Sequence, residues 1–306
     1  MFAELFAESR PRRLLLRSLA VSSMFAIVAA GCTGIKTGAA RSTGGSAGQD
    51  PGSGGRTFGT DAATDFVETA GRDATLSSDL PPPTEDASCS HEIQAVVRDF
   101  RGANGGTPDG PRHPDFEGQF TSYKGIVQEM LGADNKPVYA PAGKTVGSTG
   151  KAEFDQWYRD VDGTNIRFDD IRLPLTEDPA RPGHYVYDDQ SYFPIDNRGF
   201  GDGFQANNFH FTTEIHLDFP YRGGEVLTFK GDDDLFLFVN GHLAIDLGGV
   251  HPAQEGTVDL DAQSTNLTIE KGKTYRMDIF QAERHTSESH FRLETTLQCF
   301  TSVIIP

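Results

Sequence analysis

Cysteine, tryptophan and basic residues are all scarce in this chain of 306 residues: three cysteines, one tryptophan, and 27 lysines and arginines against 44 aspartates and glutamates. The resulting net charge of −17 argues against nucleic acid or an anionic lipid surface as a partner, because the bulk field repels phosphates. It is compatible with divalent cations and neutral carbohydrates. Sustained helical periodicity and internal repeats are also missing, which removes bundles, coiled coils and solenoids. No activated nucleophile stands out. Gly44-Gly45-Ser46-Ala47-Gly48 satisfies G-x-S-x-G, but that elbow needs a strand before it and a helix after it, and its surroundings supply neither.

Long apolar runs occur only at the start. Arg10, Arg12, Arg13 and Arg17 precede an apolar stretch from Leu19 to Ala30, and Ala29-Ala30-Gly31-Cys32 follows. A basic segment, a core too short to span a membrane stably and small residues at the cut describe a secretory signal peptide over 1–31. The cysteine directly after the small residues resembles a bacterial lipobox, which makes Cys32 the lipidation site; an ordinary signal peptide or a short membrane anchor is the competing reading. Cleavage there removes four arginines and two glutamates, leaving the mature chain still more acidic. Residues 32–88 are rich in Gly, Ser, Thr, Ala and Asp and finish in Pro81-Pro82-Pro83. They read as a flexible linker with a stiffer proline end. With Cys32 assigned to lipid, Cys89 and Cys299 remain to form a disulfide between the first and last strand-like segments of the folded region, as an exported compartment permits.

From Cys89 the texture changes to short alternating runs such as "IQAVVRDF", "HFTTEIHLDF", "EVLTFK" and "FRLETTL", punctuated by Gly, Pro, Asn and Asp. The expectation is an all-β sandwich or barrel over 89–303. Helix is expected only in "AEFDQWYRD", 152–160, and in "IVQEMLG" from Ile126.

The segment "GDDDLFLFVNG", 231–241, carries the chemistry. Leu235 to Val239 is apolar on both faces, and Asn240-Gly241 supplies the positive φ angles of a two-residue hairpin turn into "HLAIDL". Asp232, Asp233 and Asp234 therefore sit at a strand's entry, with no basic residue nearby in sequence except Lys230. Three ionised neighbours repel one another unless a cation sits among them, and Ca²⁺, with six to eight oxygen ligands, suits the donors. A solvated acidic turn is the plainer reading. Asp246 is a further candidate ligand to the ion. His251, Asn240 and His285 are candidates for contacts to a bound ligand, and for His251 a turn-capping role competes. Asp160 and Asp162 in "DVDGTN" lack the later ligands of a calcium loop. His285 and His290, five apart, lack a third nitrogen or sulfur for zinc.

"GDDDLFLFVNGHLAIDLGGVH" resembles the fibro-slime domain, a bacterial relative of the PA14 domain family of β-sandwich modules. The similarity continues through "RDFRGANGG", "RHPDFEG", "FDQWYRDVDGTN", "FHFTTEIH" and "QAERHTSESHFRLETT". The resemblance implies a sugar-binding or adhesive module in which Asp232 and Asp233, joined by a cis peptide bond, chelate Ca²⁺ that in turn meets vicinal sugar hydroxyls. Glu283 is the positional counterpart of a third ligand. Phe236 stands where fibro-slime members often have tryptophan. The lipobox-like cysteine, followed by Thr33 where an aspartate would signal inner-membrane retention, points to a lipid-anchored protein at the outer membrane or surface of a diderm bacterium. Its partners would be extracellular or cell-surface glycans, and it would touch the membrane only through the anchor. Two alternatives remain: a structural matrix or surface-layer protein making protein–protein contacts, and an accessory module of a glycoside-degrading system. Adjacent aspartates are too close for the acid and nucleophile of a glycosidase, so no enzyme activity is expected.

Overall fold

A computed structural model of the protein describes residues 89–102, 110–118 and 121–305. The signal segment, Cys32, the 32–88 linker and the Gly44–Gly48 motif lie outside the described residues. Strands β1 (Glu92–Phe100), β2 (Asn165–Pro174), β5 (Phe211–Pro220), β7 (Asp234–Val239), β8 (His242–Leu247), β10 (Thr274–Glu283) and β12 (Thr301–Ser302) form one antiparallel sheet. Their spatial order is β2-β1-β5-β10-β7-β8, with β12 also on β5. The second sheet runs β3 (Thr176–Glu177), β4 (Tyr185–Asp189), β11 (Phe291–Thr295), β6 (Val226–Gly231) and β9 (Gln254–Asp259). The expected all-β sandwich is what the chain adopts.

Both faces of the large sheet are covered, which explains why its central strands are apolar on both sides. Leu235, Leu237 and Val239 of β7 join Ile215, Met277 and Ile279 in the core between the sheets. Phe236 and Phe238 point the other way, with Phe280, into a second core under Phe116, Tyr139, Phe154, Trp157 and Tyr158. The outer layer is thus built by residues 113–118 and 121–158, which contain little regular structure of their own. Asn240 and Gly241 have φ of 52° and 76°, and Val239 pairs with His242, so the two-residue hairpin forms as expected.

Helix is shorter than the sequence suggests. Only α1 (Lys151–Phe154) is α-helical in and around the "AEFDQWYRD" segment, joined later by α2 (Leu260–Gln263). The Asn165 amide donates to the carbonyls of Gln156 and Arg159, so that side chain takes over what a continued helix would pair. Residues 126–132 are not helical. Gln128 N–H donates to Val138 O and Leu131 N–H to Gly241 O, which lays this segment across the hairpin.

A buried ionic cluster fastens the outer layer to the sheet. Glu214 accepts from Arg98 Nη1 at 2.6 Å, from Lys136 Nζ, and pairs with His216 Nε2 at 2.5 Å, while His216 Nδ1 meets Asp278 at 2.6 Å. Burial disfavours the imidazolium, but the hydrogen bonds of Asp278 and Glu214 outweigh it and raise the His216 pKa. Asp160, noted for its calcium-loop-like spacing, is instead held by Arg98 and Arg167. Cys89 and Cys299 are disulfide-bonded across 210 positions, as the cysteine count implies.

Candidate functional site

Gly231 ends β6 in the small sheet and Asp234 begins β7 in the large one, so Asp232 and Asp233 form the crossover between the two layers at one end of the sandwich. The chain packs closely here. A Cβ at position 231 would stand 2.4 Å from the His290 carbonyl oxygen, which only glycine tolerates. Asp233 has a φ of 56°, a left-handed conformation unusual for a residue with a side chain. No cis peptide bond occurs among the described residues, so the Asp232–Asp233 bond is trans, contrary to what the resemblance implies.

The triplet does not act as one unit. Asp234 turns to the outer face of the sheet, where Arg284 Nε meets its Oδ2 at 2.6 Å and Gly249 N–H donates to its Oδ1 at 2.6 Å. Both charged side chains are 0% exposed. The guanidinium lies 4.6 Å from the Trp157 ring centroid and also donates to the Asp115 carbonyl. Asp234 is therefore removed from the set of candidate metal ligands. Its neutralising cation is an arginine fifty positions along the chain, which no local reading of the sequence reveals.

Asp233 and Asp232 remain at the crossover. Asp233 accepts from the Arg284 backbone N–H at 2.7 Å and from the His251 N–H at 3.3 Å. Burial pushes its pKa up to about 7, against the pull of the nearby Arg284 charge. Asp232 accepts from the His290 N–H at 2.5 Å, and its second oxygen lies 2.8 Å from His290 Nδ1. Glu283, the last residue of β10, is 0% exposed, and neither of its oxygens has a well-formed hydrogen bond. The neighbouring Ser289 hydroxyl gives its proton to the Tyr192 carbonyl instead. Burial first, then the charges of Asp233 and Asp232, hold the Glu283 pKa well above the usual carboxylate range. Three carboxylates thus converge, although they are separated in sequence by up to 51 positions.

A cavity of about 230 Å³ opens beside them, walled by Asp232, Asp233, His251, Pro252, His285 and Glu288. His251 reaches the carbonyls of Leu247 at 3.1 Å and Pro252 at 3.0 Å, so it holds its own turn while forming part of the wall. His285 meets the Thr286 carbonyl at 2.8 Å. Glu117, from the "HPDFEG" segment, anchors that loop by accepting from the Thr286 N–H and hydroxyl. Burial raises the Glu117 pKa, but the hydrogen bonds of His210 and Thr286 prevail and bring it down to about 2.

Two candidates lie elsewhere. Asp246 sits on β8 opposite Phe236 and accepts from the Gly125 and Gly248 N–H groups, clipping the outer layer to the sheet rather than facing the cavity. Asn240 is at the far end of β7, where its amide donates to the carbonyls of Leu267 and Thr268. The turn that made it conspicuous places it at the wrong pole. No phenylalanine, tyrosine or tryptophan lines the cavity among the described residues. His290, set aside with His285 for want of a third zinc ligand, and Glu288, which the sequence did not mark, approach Asp232. Only the folded chain brings them there.

Residues 176–301 match the family model of the PA14 domain. The chain is 37% identical over 203 residues to protein psiR of Dictyostelium discoideum, covering 61% of this chain and 20% of that one. It is 36% identical over 203 residues to protein psiC of the same organism, covering 61% and 38%. The match therefore spans well under half the length of either relative. Among solved structures, a PA14 sugar-binding domain from an RTX adhesin aligns with 69% of this chain and 95% of its own, at 10% identity and a TM-score of 0.28. The relatives' names carry neither fibro-slime nor lipoprotein, so the bacterial export reading of residues 1–32 stands on those residues alone.

Proposed function

We propose that this PA14-domain chain is a cell-surface carbohydrate-binding or adhesion module whose ligand contact depends on a divalent cation. The observation that carries the reading is Glu283: a carboxylate 0% exposed, without a well-formed hydrogen bond, facing two further carboxylates. Such a group is costly to bury unless something positive joins it. The donors that converge are all oxygens, and Asp234 has already claimed the buried guanidinium. That donor set fits Ca²⁺, with Asp232, Asp233 and Glu283 as the residues that hold it. When bound, Ca²⁺ supplies open coordination positions for a pair of sugar hydroxyls. His251 and His285 supply polar edges to the cavity wall, and Val250 and Pro252 supply a small apolar surface. Export by the leader and attachment through lipid at Cys32 complete the proposed arrangement, presenting the module outside the cell. The rival, a matrix or surface-layer protein with a merely stabilising acidic loop, predicts no chelator-sensitive sugar binding. A glycan array probed with and without EDTA separates the two.

Calorimetry tests the ion site directly. Ca²⁺ binds the native protein, and Asp233→Asn or Glu283→Gln lowers the affinity at least tenfold; unchanged affinity in both variants removes the site. Because Asp233 titrates near 7, protons compete with the ion below that pH. Glu283, raised in the same way, must lose its proton too, so the apparent Ca²⁺ affinity is expected to fall at least about tenfold per pH unit between pH 7 and 5.

In chelator the same group contributes to stability with a definite sign. The Asp233 carboxyl has its folded pKa raised from 3.8 to about 7, so between these values the folded chain holds the extra proton. Unfolding free energy then falls as pH rises through that window, on the order of 4 kcal/mol for a shift of this size. The expected result is a lower Tm in EDTA at pH 8 than at pH 5. Glu117 and Glu214, both brought down to about 2, lose their contribution only at more acid pH. Asp99, whose carboxyl burial also raises to about 7, adds a slope of the same sign, so the Asp233 part is read as the difference from Asp233→Asn in EDTA. Saturating Ca²⁺ raises the Tm of the native protein at pH 8, and a slope unchanged in the variant excludes a buried proton at Asp233.

A further inference from the structure

Beyond the oxygen ligands already described, one face of Asp232 meets nitrogen. His290 Nδ1 lies 2.8 Å from Asp232 Oδ2, and Glu288, an exposed residue two positions earlier, brings a carboxylate to the same place. One ligand atom from each of the three lies within 4.8 Å of the others. Ligands on a tetrahedral ion with bonds of about 2.0–2.1 Å stand roughly 3.3 Å apart. The Asp232–His290 edge, at 2.8 Å, opens by about half an ångström to reach this, and the remaining closure falls to the exposed Glu288 side chain, which turns at little cost. The His290 backbone is fixed, because its N–H donates to the other Asp232 oxygen. On the inner side stands Glu283, fully buried with neither oxygen in a well-formed hydrogen bond, so the cluster lies against a further acidic group. Imidazole is a poor ligand for Ca²⁺ and a favoured one for first-row transition metals.

We propose that Asp232, Glu288 and His290 form a second cation site, at the mouth of the cavity, that takes a transition metal of the zinc class. Three protein ligands leave a fourth position open. Because Asp232 and Glu288 also line the cavity, that position is accessible to an oxygen or nitrogen ligand entering there. Asp232 is common to this site and to the oxygen site, so the two ions compete, and the zinc-class site needs no carbohydrate.

Co²⁺, whose visible absorption reports coordination, is the probe. Titrated into the full chain at pH 8 in the absence of Ca²⁺, it binds one to one with a tetrahedral-type spectrum. His290→Gln lowers the Co²⁺ affinity at least tenfold and leaves Ca²⁺ affinity within about twofold. Glu288→Gln, an exposed substitution that cannot unfold the protein, lowers Co²⁺ affinity at least threefold. Glu283→Gln does the reverse, weakening Ca²⁺ and sparing Co²⁺. Absence of Co²⁺ binding overturns the proposal, and so does binding that His290→Gln leaves unchanged. Co²⁺ binding that depends on His290 in a protein that ignores Ca²⁺ upholds this site and overturns only the calcium reading.

Discussion

Replacing Arg284 with methionine lowers the unfolding free energy by about 3–5 kcal/mol, the range for breaking a buried ion pair by removing one partner. Arg284 and Asp234 are both 0% exposed and meet at 2.6 Å, so methionine leaves a carboxylate in the interior with only the Gly249 N–H to satisfy it. The same change removes the guanidinium from the Trp157 ring and from the Asp115 carbonyl, loosening the outer layer. Adding Asp234→Asn to the methionine variant recovers a substantial part of the loss, since the stranded charge is then gone. Urea unfolding of the two single variants and the double variant gives the coupling energy. A single variant that loses less than about 1 kcal/mol means that water reaches Asp234 and that the triplet is the solvated turn its composition first suggests.

Reduction of Cys89–Cys299, or serine at both positions, costs about 5 kcal/mol in the chain-entropy model for a loop of this length. The bond closes 210 positions, which encompass every strand but the last. It also brings together weak contacts that depend on it, namely the Ser90 N–H to Phe300 carbonyl bond at 3.3 Å and the Gln94 N–H to Ser302 hydroxyl bond at 3.0 Å. Beyond the two-residue β12 pairing, the Val303 N–H to His216 carbonyl bond at 2.9 Å ties this segment to β5. Guanidinium unfolding with and without reductant is the measurement. A difference below about 1 kcal/mol shows an unfolded chain already compact enough to keep its ends near each other.

Local features were legible in the sequence and distant ones were not. The run Leu235–Val239 announces a strand buried on both faces because the pattern lies within five consecutive residues, and Asn240-Gly241 announces its turn because positive φ is a property of those two residues. Asp232 and Asp233 could be singled out by their charge alone. The division between them and Asp234 could not, because it depends on the side of the sheet each faces and on an arginine that β10 delivers from fifty positions away. Glu283 was reached only through family resemblance. His290 stood out only as one of a histidine pair without a third ligand and Glu288 not at all, since their approach to Asp232 is made by the chain passing from β10 into β11. The 152–160 segment misled for the opposite reason. Its i, i+3, i+4 spacing of Phe154, Trp157 and Tyr158 is genuine, but those rings cover a sheet, and Asn165 draws off the carbonyls that helix would need.

The fold has two opposite poles. Asp232, Asp233 and Glu283 lie where β7 begins and β10 ends, whereas Cys89 precedes the far end of β1 and Thr301 pairs with Asp218 near the far end of β5. The distance between the poles is roughly 30 Å, the length of a ten-residue strand. Any tension between a partner held at the carboxylate pole and the chain at Cys89 therefore runs along the strands. The ladders joining β1, β5, β10 and β7 are loaded in shear, many hydrogen bonds at once, instead of being peeled open one by one. A disulfide sits at the point where that load enters. For a sandwich strung in this direction, resistance to pulling is set by the barrier to unfolding and not by its equilibrium stability.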